Sequence, residues 1–112
     1  MVNSIELDRS FTALAHPLRR RIIERLSEGP ATVGVAAAGA DVSPSAITKH
    51  IRILEDAGLV ARTVEGRTHR LVLKRQRLEH AAGCIDGYRR IWERKFAVID
   101  EHLVQRRAAR KS

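Results

Sequence analysis

A chain of 112 residues has material for one modest hydrophobic core and little for a separate catalytic domain. Its 21 Lys and Arg outnumber 13 Asp and Glu for a formal net charge of +8, which favours polyanionic partners, nucleic acid or an anionic membrane surface, unless the arginines are only a solvated surface. The single cysteine, Cys84, excludes an intrachain disulfide and suits a reducing compartment.

The opening run MVNSIELDRSF places Glu6 and Asp8 early and lacks a long apolar stretch, unlike a signal peptide. No run is long and apolar enough to cross a bilayer. A cytoplasmic protein is expected. Ser4 to Ala15 reads as a first helix, with Asn3 or Ser4 as its cap and Leu7, Phe11 and Leu14 as its apolar stripe. His16-Pro17 interrupts it, with His16 as a structural cap. A second helix then runs from Pro17 to about Ser27, burying Leu18, Ile22, Ile23 and Leu26. Arg19, Arg20, Arg21 and Arg25 cover much of its remaining surface, available to flanking phosphates or to water.

Glu28-Gly29-Pro30 is a turn. Thr32 can cap a short third helix through VGVAAAGA, which Gly34 and Gly39 weaken. The stretch SPSAITKHIRILEDAG, Ser43 to Gly58, has both helix ends marked: Ser43 as N-cap, Pro44 in the first turn, Gly58 as stop. Ile47, Ile51, Leu54 and Ala57 form its buried stripe. Its opposite face presents Ser45, Thr48, Lys49 and Arg52, donors suited to phosphate oxygens and base edges, on a helix whose dimensions suit the major groove of B-DNA. His50 sits one position from the apolar stripe and is either a hydrogen-bonded, partly buried histidine or a phosphate contact. Residues 32–57 thus read as a helix-turn-helix whose second helix does the reading.

Two β-prone runs, Leu59 to Val64 and Arg67 to Leu73, join around Glu65-Gly66 as a hairpin. Arg62, Arg67, His69 and Arg70 make it basic, and Arg67 lies at the turn, so the hairpin over residues 59–73 is a wing placed to reach the DNA backbone or minor groove. From about Arg75 to residue 108 a long helix carries Leu78, Ile85, Trp92, Ile99 and Leu103 in a heptad-like seam, with Phe96 and Ala82 between them. Gly83 and Gly87 mark a bend or a close crossing. The tail VQRRAARKS is expected to fray. This helix is too long for the small body before it to cover, and Ile85, Tyr88, Trp92, Phe96, Ile99 and Leu103, with Leu7 and Phe11 of the first helix, are expected to pack against a second copy of the chain.

No catalytic constellation, Gly-rich phosphate loop or cofactor motif is present. His80 and Cys84, four apart on the last helix, are the best candidates for a soft metal shared across a dimer, and Cys84 alone for a redox-sensing thiol. A small helix-packing cysteine is the simpler reading, and no metal is assigned.

The run from Leu14 to Val60, with Ala15-His16-Pro17, Arg19 and the S-P-S-A-I-T-K-H-I-R-I-L-E-D-A-G-L-V signature, and the wing Glu65-Gly66-Arg67, closely resembles the ArsR/SmtB family of regulators. The C-terminal run GYRRIWERKFAVIDEHL resembles a branch with a Tyr-Arg-Arg-x-Trp pattern on the last helix, often linked to autorepression. The resemblance implies a mainly α fold with a small β-hairpin, a winged helix-turn-helix in the order of four helices, two strands and a fifth helix. It also implies a homodimer built on the first and last helices and repression at an inverted-repeat DNA operator. Metal-sensing members carry cysteines where this chain has Val33-Gly34-Val35-Ala36-Ala37, so no metal site carries over, and an inducer, small molecule or metal, is not identified. A metal- or redox-responsive regulator using His80 and Cys84, or an RNA- or protein-binding winged helix, are the alternatives.

Overall fold

The computed structural model describes residues 4–111. In chain order these are α1 (Ser4–Leu14), α2 (Pro17–Leu26), β1 (Ala31–Thr32), α3 (Val33–Ala36), α4 (Pro44–Asp56), β2 (Val60–Glu65), β3 (Thr68–Leu73) and α5 (Arg75–Lys111). The chain divides between Ala81 and Ala82 into two units, each described by itself below.

The core of the first unit is aliphatic. Leu18, Ile22, Ile23 and Leu26 of α2 meet Ile51, Leu54 and Ala57, then Leu59, Val60 and Leu71, around Ala13 and Ala36. The predicted stripes of α2 and α4 are therefore the buried ones. Leu7 and Phe11 of α1 are only half-buried, while Leu14 packs against the core. Among the described residues, no buried side-chain nitrogen or oxygen lacks a hydrogen-bond partner, as a stable interior requires.

Three caps define the helix starts. His16, the N-cap of α2, accepts from the N–H of Leu18 through Nδ1 at 3.1 Å. Thr32 Oγ1 accepts from Val35 at 3.3 Å, and Ser43 Oγ accepts from Ala46 at 3.2 Å, with Pro44 in the first turn. Each satisfies an orphan donor of the first turn. At the far end of α4, the N–H of Gly58 donates to Glu55 at 2.9 Å and that of Leu59 to Leu54 at 3.1 Å, the paired bonds of a Schellman motif. Gly58 has φ +75°, the left-handed conformation that this motif needs and glycine adopts without strain. The expected Asn3 cap lies outside the described residues.

The structure corrects four local expectations. The sheet has three strands rather than two, in the order β1-β3-β2, because Ala31 and Thr32 pair antiparallel with Leu71 and Arg70. Two residues are too few to show a strand period. The third helix stops at Ala36, well short of Ala40. The last helix continues to Lys111 instead of fraying through the tail, since Arg106, Arg107, Ala108 and Ala109 are all strong helix formers. It also passes through Gly83 and Gly87 as continuous helix, and no neighbouring atom stands within 4 Å of a Cβ built on either, so among the described residues of one chain neither marks a close crossing.

Candidate nucleic-acid interface

The wing is regular. In β2–β3, Val60 faces Leu73 and Glu65 faces Thr68, leaving Gly66 and Arg67 as a two-residue loop. Gly66 has φ +62°, the positive φ that such loops demand, and Arg67 is exposed beside it at the tip. The ribbon is fastened to α4 at its other end. Arg62 Nη2 donates to Glu55 Oε1 at 2.7 Å, while Arg62 Nη1 lies 3.1 Å from His69 Nδ1. Arg62 is thus a brace between α4 and the wing.

Of the candidate contact residues, Ser45, Thr48, Lys49 and Arg52 share one side of α4, Ser43 is its N-cap, and His50 lies on its flank beside Ile51. Ser43, Ser45, Thr48, Lys49 and Arg52 are exposed; His50 is half-buried. Ser45 Oγ is 3.2 Å from Ser43 Oγ, and Thr48 Oγ1 donates to the carbonyl of Pro44 at 3.1 Å. Both hydroxyls keep acceptor capacity. The ion pairs among the described residues use Arg62, Arg75, Arg77 and Arg89; Lys49, Arg52 and Arg67 take part in none.

The arginines of α2 are differently employed. Arg19 is 8% exposed; its Nε donates to the carbonyl of Ala13 at 2.7 Å and its Nη2 to that of Thr12 at 3.1 Å. Arg20 donates to Leu14 at 2.8 Å, Arg21 to Ala38 at 2.8 Å, and Arg25 to Val35 and Ala36 at 3.1 and 3.0 Å. These carbonyls close α1 and α3, where helix ends leave acceptors unsatisfied and the dipole is negative. Each arginine of this row therefore donates to a carbonyl at or just beyond a helix end, while Arg20 and Arg21 remain exposed to solvent. Arg77, which the sequence reading did not single out, does the same for α4, donating to the carbonyl of Ala57 at 3.0 Å and meeting Glu6 Oε1 at 3.5 Å. No spacing rule reveals a partner 20 residues away.

His50 closes the set. Its Nδ1 lies 3.1 Å from Arg19 Nη1, and its ring centroid is 4.3 Å from that of His16. Burial, then the neighbouring His16 and Arg19, hold its pKa below the ordinary 6.5, because each disfavours the imidazolium.

In the second unit, the seam residues Ile85, Tyr88, Trp92, Phe96, Ile99 and Leu103 are all exposed, Trp92 at 59% and Phe96 at 60%. Cys84 is partly buried, and its thiol beside Tyr88 holds the tyrosine pKa above its ordinary value. His80 is exposed. Among the described residues, no group of three or more His, Cys, Asp or Glu gathers as metal ligands would, and no helix is long and apolar enough to cross a membrane.

Comparison with known proteins agrees with this architecture. Residues 14–63 match the helix-turn-helix domain family. The HTH-type transcriptional regulator Rv2034 of Mycobacterium tuberculosis is 45% identical over 53 residues, which cover 47% of this chain and 50% of that protein; the match thus spans about half the length of this curated relative. The crystal structure of an ArsR family transcriptional regulator superposes with a TM-score of 0.73 at 33% identity, over 79% of this chain and 97% of the other. An ArsR-like transcriptional regulator from Rhodococcus sp. RHA1 gives a TM-score of 0.68 at 29% identity, over 87% and 92% of the two chains. With its three-stranded winged helix-turn-helix and these matches, the chain belongs to the ArsR family of DNA-binding transcriptional regulators.

Proposed function

We infer that the protein is a homodimeric repressor, acting in the cytoplasm on an inverted-repeat operator and regulating its own promoter. The observation that carries the reading is the division of labour among its cations. Those of α2 each donate to a carbonyl at or just beyond a helix end, while Lys49, Arg52 and Arg67 stand exposed and outside every ion pair among the described residues, on the reading helix and the wing tip. Ser43, Ser45, Thr48, Lys49 and Arg52 face the major groove, with His50 at the edge of that face, and Arg67 grips backbone phosphate. Trp92, Phe96 and their neighbours cover one another across the dimer, which sets the two reading helices on successive half-sites.

The test is fluorescence anisotropy with the DNA immediately upstream of the gene, over a salt series, against scrambled DNA of equal length. Binding of one dimer per site with affinity at least about a thousandfold above the scrambled control is expected of a specific regulator. Equal affinity for both sequences would overturn the repressor reading, and equal competition by structured RNA would redirect it to RNA.

A further inference from the structure

The contact between Arg19 and His50 joins three elements at one point. Arg19, on α2, holds the last carbonyls of α1 with Nε and Nη2 and reaches His50 of α4 with Nη1. A guanidinium only donates, so Nδ1 of His50 is the acceptor and its proton resides on Nε2. The neutral ring is thereby fixed in one tautomer and pinned in orientation. His16, whose own Nδ1 accepts from Leu18, packs its ring against that of His50 at a centroid distance of 4.3 Å. On α4 residue 50 is turned about 100° from Lys49, beside the buried Ile51, so the fastened ring sits at the flank of the helix, between its buried stripe and the face that carries Lys49.

We propose that Arg19 is a positioning residue for DNA reading, holding His50 as a neutral Nε2–H donor and thereby setting the placement of the N-terminal half of α4. This inference rests on the DNA-reading role of α4 proposed above. It assigns Arg19 a task distinct from phosphate contact and gives His50 a required charge state. The titratable or charged groups facing His50 are His16, at the junction of α1 and α2, and Arg19 itself. Protonating His50 places an Nδ1–H against the Arg19 donor, removing the acceptor and setting two cations together. Acid should therefore weaken DNA reading. An imidazolium that simply paired with phosphate would act with the opposite sign, binding tighter in acid.

Two measurements on the full chain test this. The first is 15N NMR of the histidine side chains, which reads the tautomer directly and needs no DNA. His50 should be the Nε2–H tautomer near neutral pH, and Arg19→Gln should lose that preference. The second is operator affinity at about pH 7.5 and about pH 5.5 for the wild type and His50→Asn, which removes the titrating ring. Wild-type affinity should fall by about three- to tenfold, the value of one hydrogen bond, and the variant should be weaker at neutral pH but flat across this range. If Arg19→Gln does not fold, the wild-type tautomer and the His50→Asn profile still decide. An Nδ1–H or charged ring at neutral pH, or wild-type binding that tightens in acid, would overturn the proposal. Absence of specific binding at any pH with the tautomer intact would instead overturn DNA reading by α4, and the positioning role with it.

Discussion

Glu55, in the last turn of α4, holds Arg62 of the wing at 2.7 Å, with both side chains less than a third exposed. This pair ties α4 to the wing, the two elements proposed to contact bases and phosphate. Glu55→Gln should cost no more than about 1 kcal/mol of stability, because the pair is partly solvated. It should nonetheless raise affinity for scrambled DNA, since a freed Arg62 becomes a phosphate donor, and lower the ratio of operator to scrambled affinity. An unchanged ratio in paired anisotropy titrations would show that the brace has no part in recognition.

Lys49 and Arg67 should separate by kind of contact. Lys49→Ala should cost roughly 1–3 kcal/mol on the operator and relax base preference. Arg67→Ala should weaken all sequences alike and reduce the magnitude of the log-log salt slope by about one. Base-substituted operators and salt titrations distinguish them; a loss at one base position in Arg67→Ala would reverse its assignment.

Gly58→Ala should destabilise the fold by about 1–3 kcal/mol. A Cβ there would be held at φ +75° and would come within 2.5 Å of Arg77 Nη1, so the side chain that donates to Ala57 must move. Urea unfolding should show a lower midpoint with an unchanged m-value. Stability equal to the wild type would mean that Arg77 relocates freely and is no cap.

Stability should depend on pH through His50. Its folded-state pKa is lowered from 6.5 by burial first, then by His16 and Arg19, so below 6.5 the unfolded chain binds more protons there than the native one. The contribution is complete above that value and is lost as pH falls toward the folded-state value. Thermal melts from about pH 8 to about pH 5.5 should show the wild type losing Tm relative to His50→Asn. Parallel curves would assign the acid sensitivity to other groups.

Trp92→Asp with Phe96→Asp should yield monomers by sedimentation velocity. Rings of this size bury about 150–250 Å² each in an interface, and a carboxylate there is costly to desolvate. A persistent dimer would remove this stretch of α5 from the contact.

Much of this was legible in one dimension because it is local. The caps at His16, Thr32 and Ser43 act over two or three residues, the stop at Gly58 over five, and the stripes of α2 and α4 repeat within a few turns. What stayed hidden depends on partners far along the chain. Arg21 and Ala38, or Arg77 and Ala57, meet only after folding, and a row of arginines bonding carbonyls has the same spelling as one bathed in water. The β1 strand escaped for want of length. The position of Arg67 at the wing tip was readable from Glu65-Gly66-Arg67, whereas the anchoring of Arg62 by Glu55 was not. The half-buried alternative for His50 was visible from its place beside Ile51, and the structure shows that burial together with its tie to Arg19.

Thr32 belongs to two structures at once, pairing with Arg70 in the sheet and capping α3 through its hydroxyl. The ribbon and the first helix of the helix-turn-helix are therefore not independent modules on a common scaffold. Separating β1 from β3 removes backbone bonds next to the residue that starts α3, so the two open as one cooperative unit. A strand of two residues makes the wing an extension of the helix-turn-helix rather than an appendage to it.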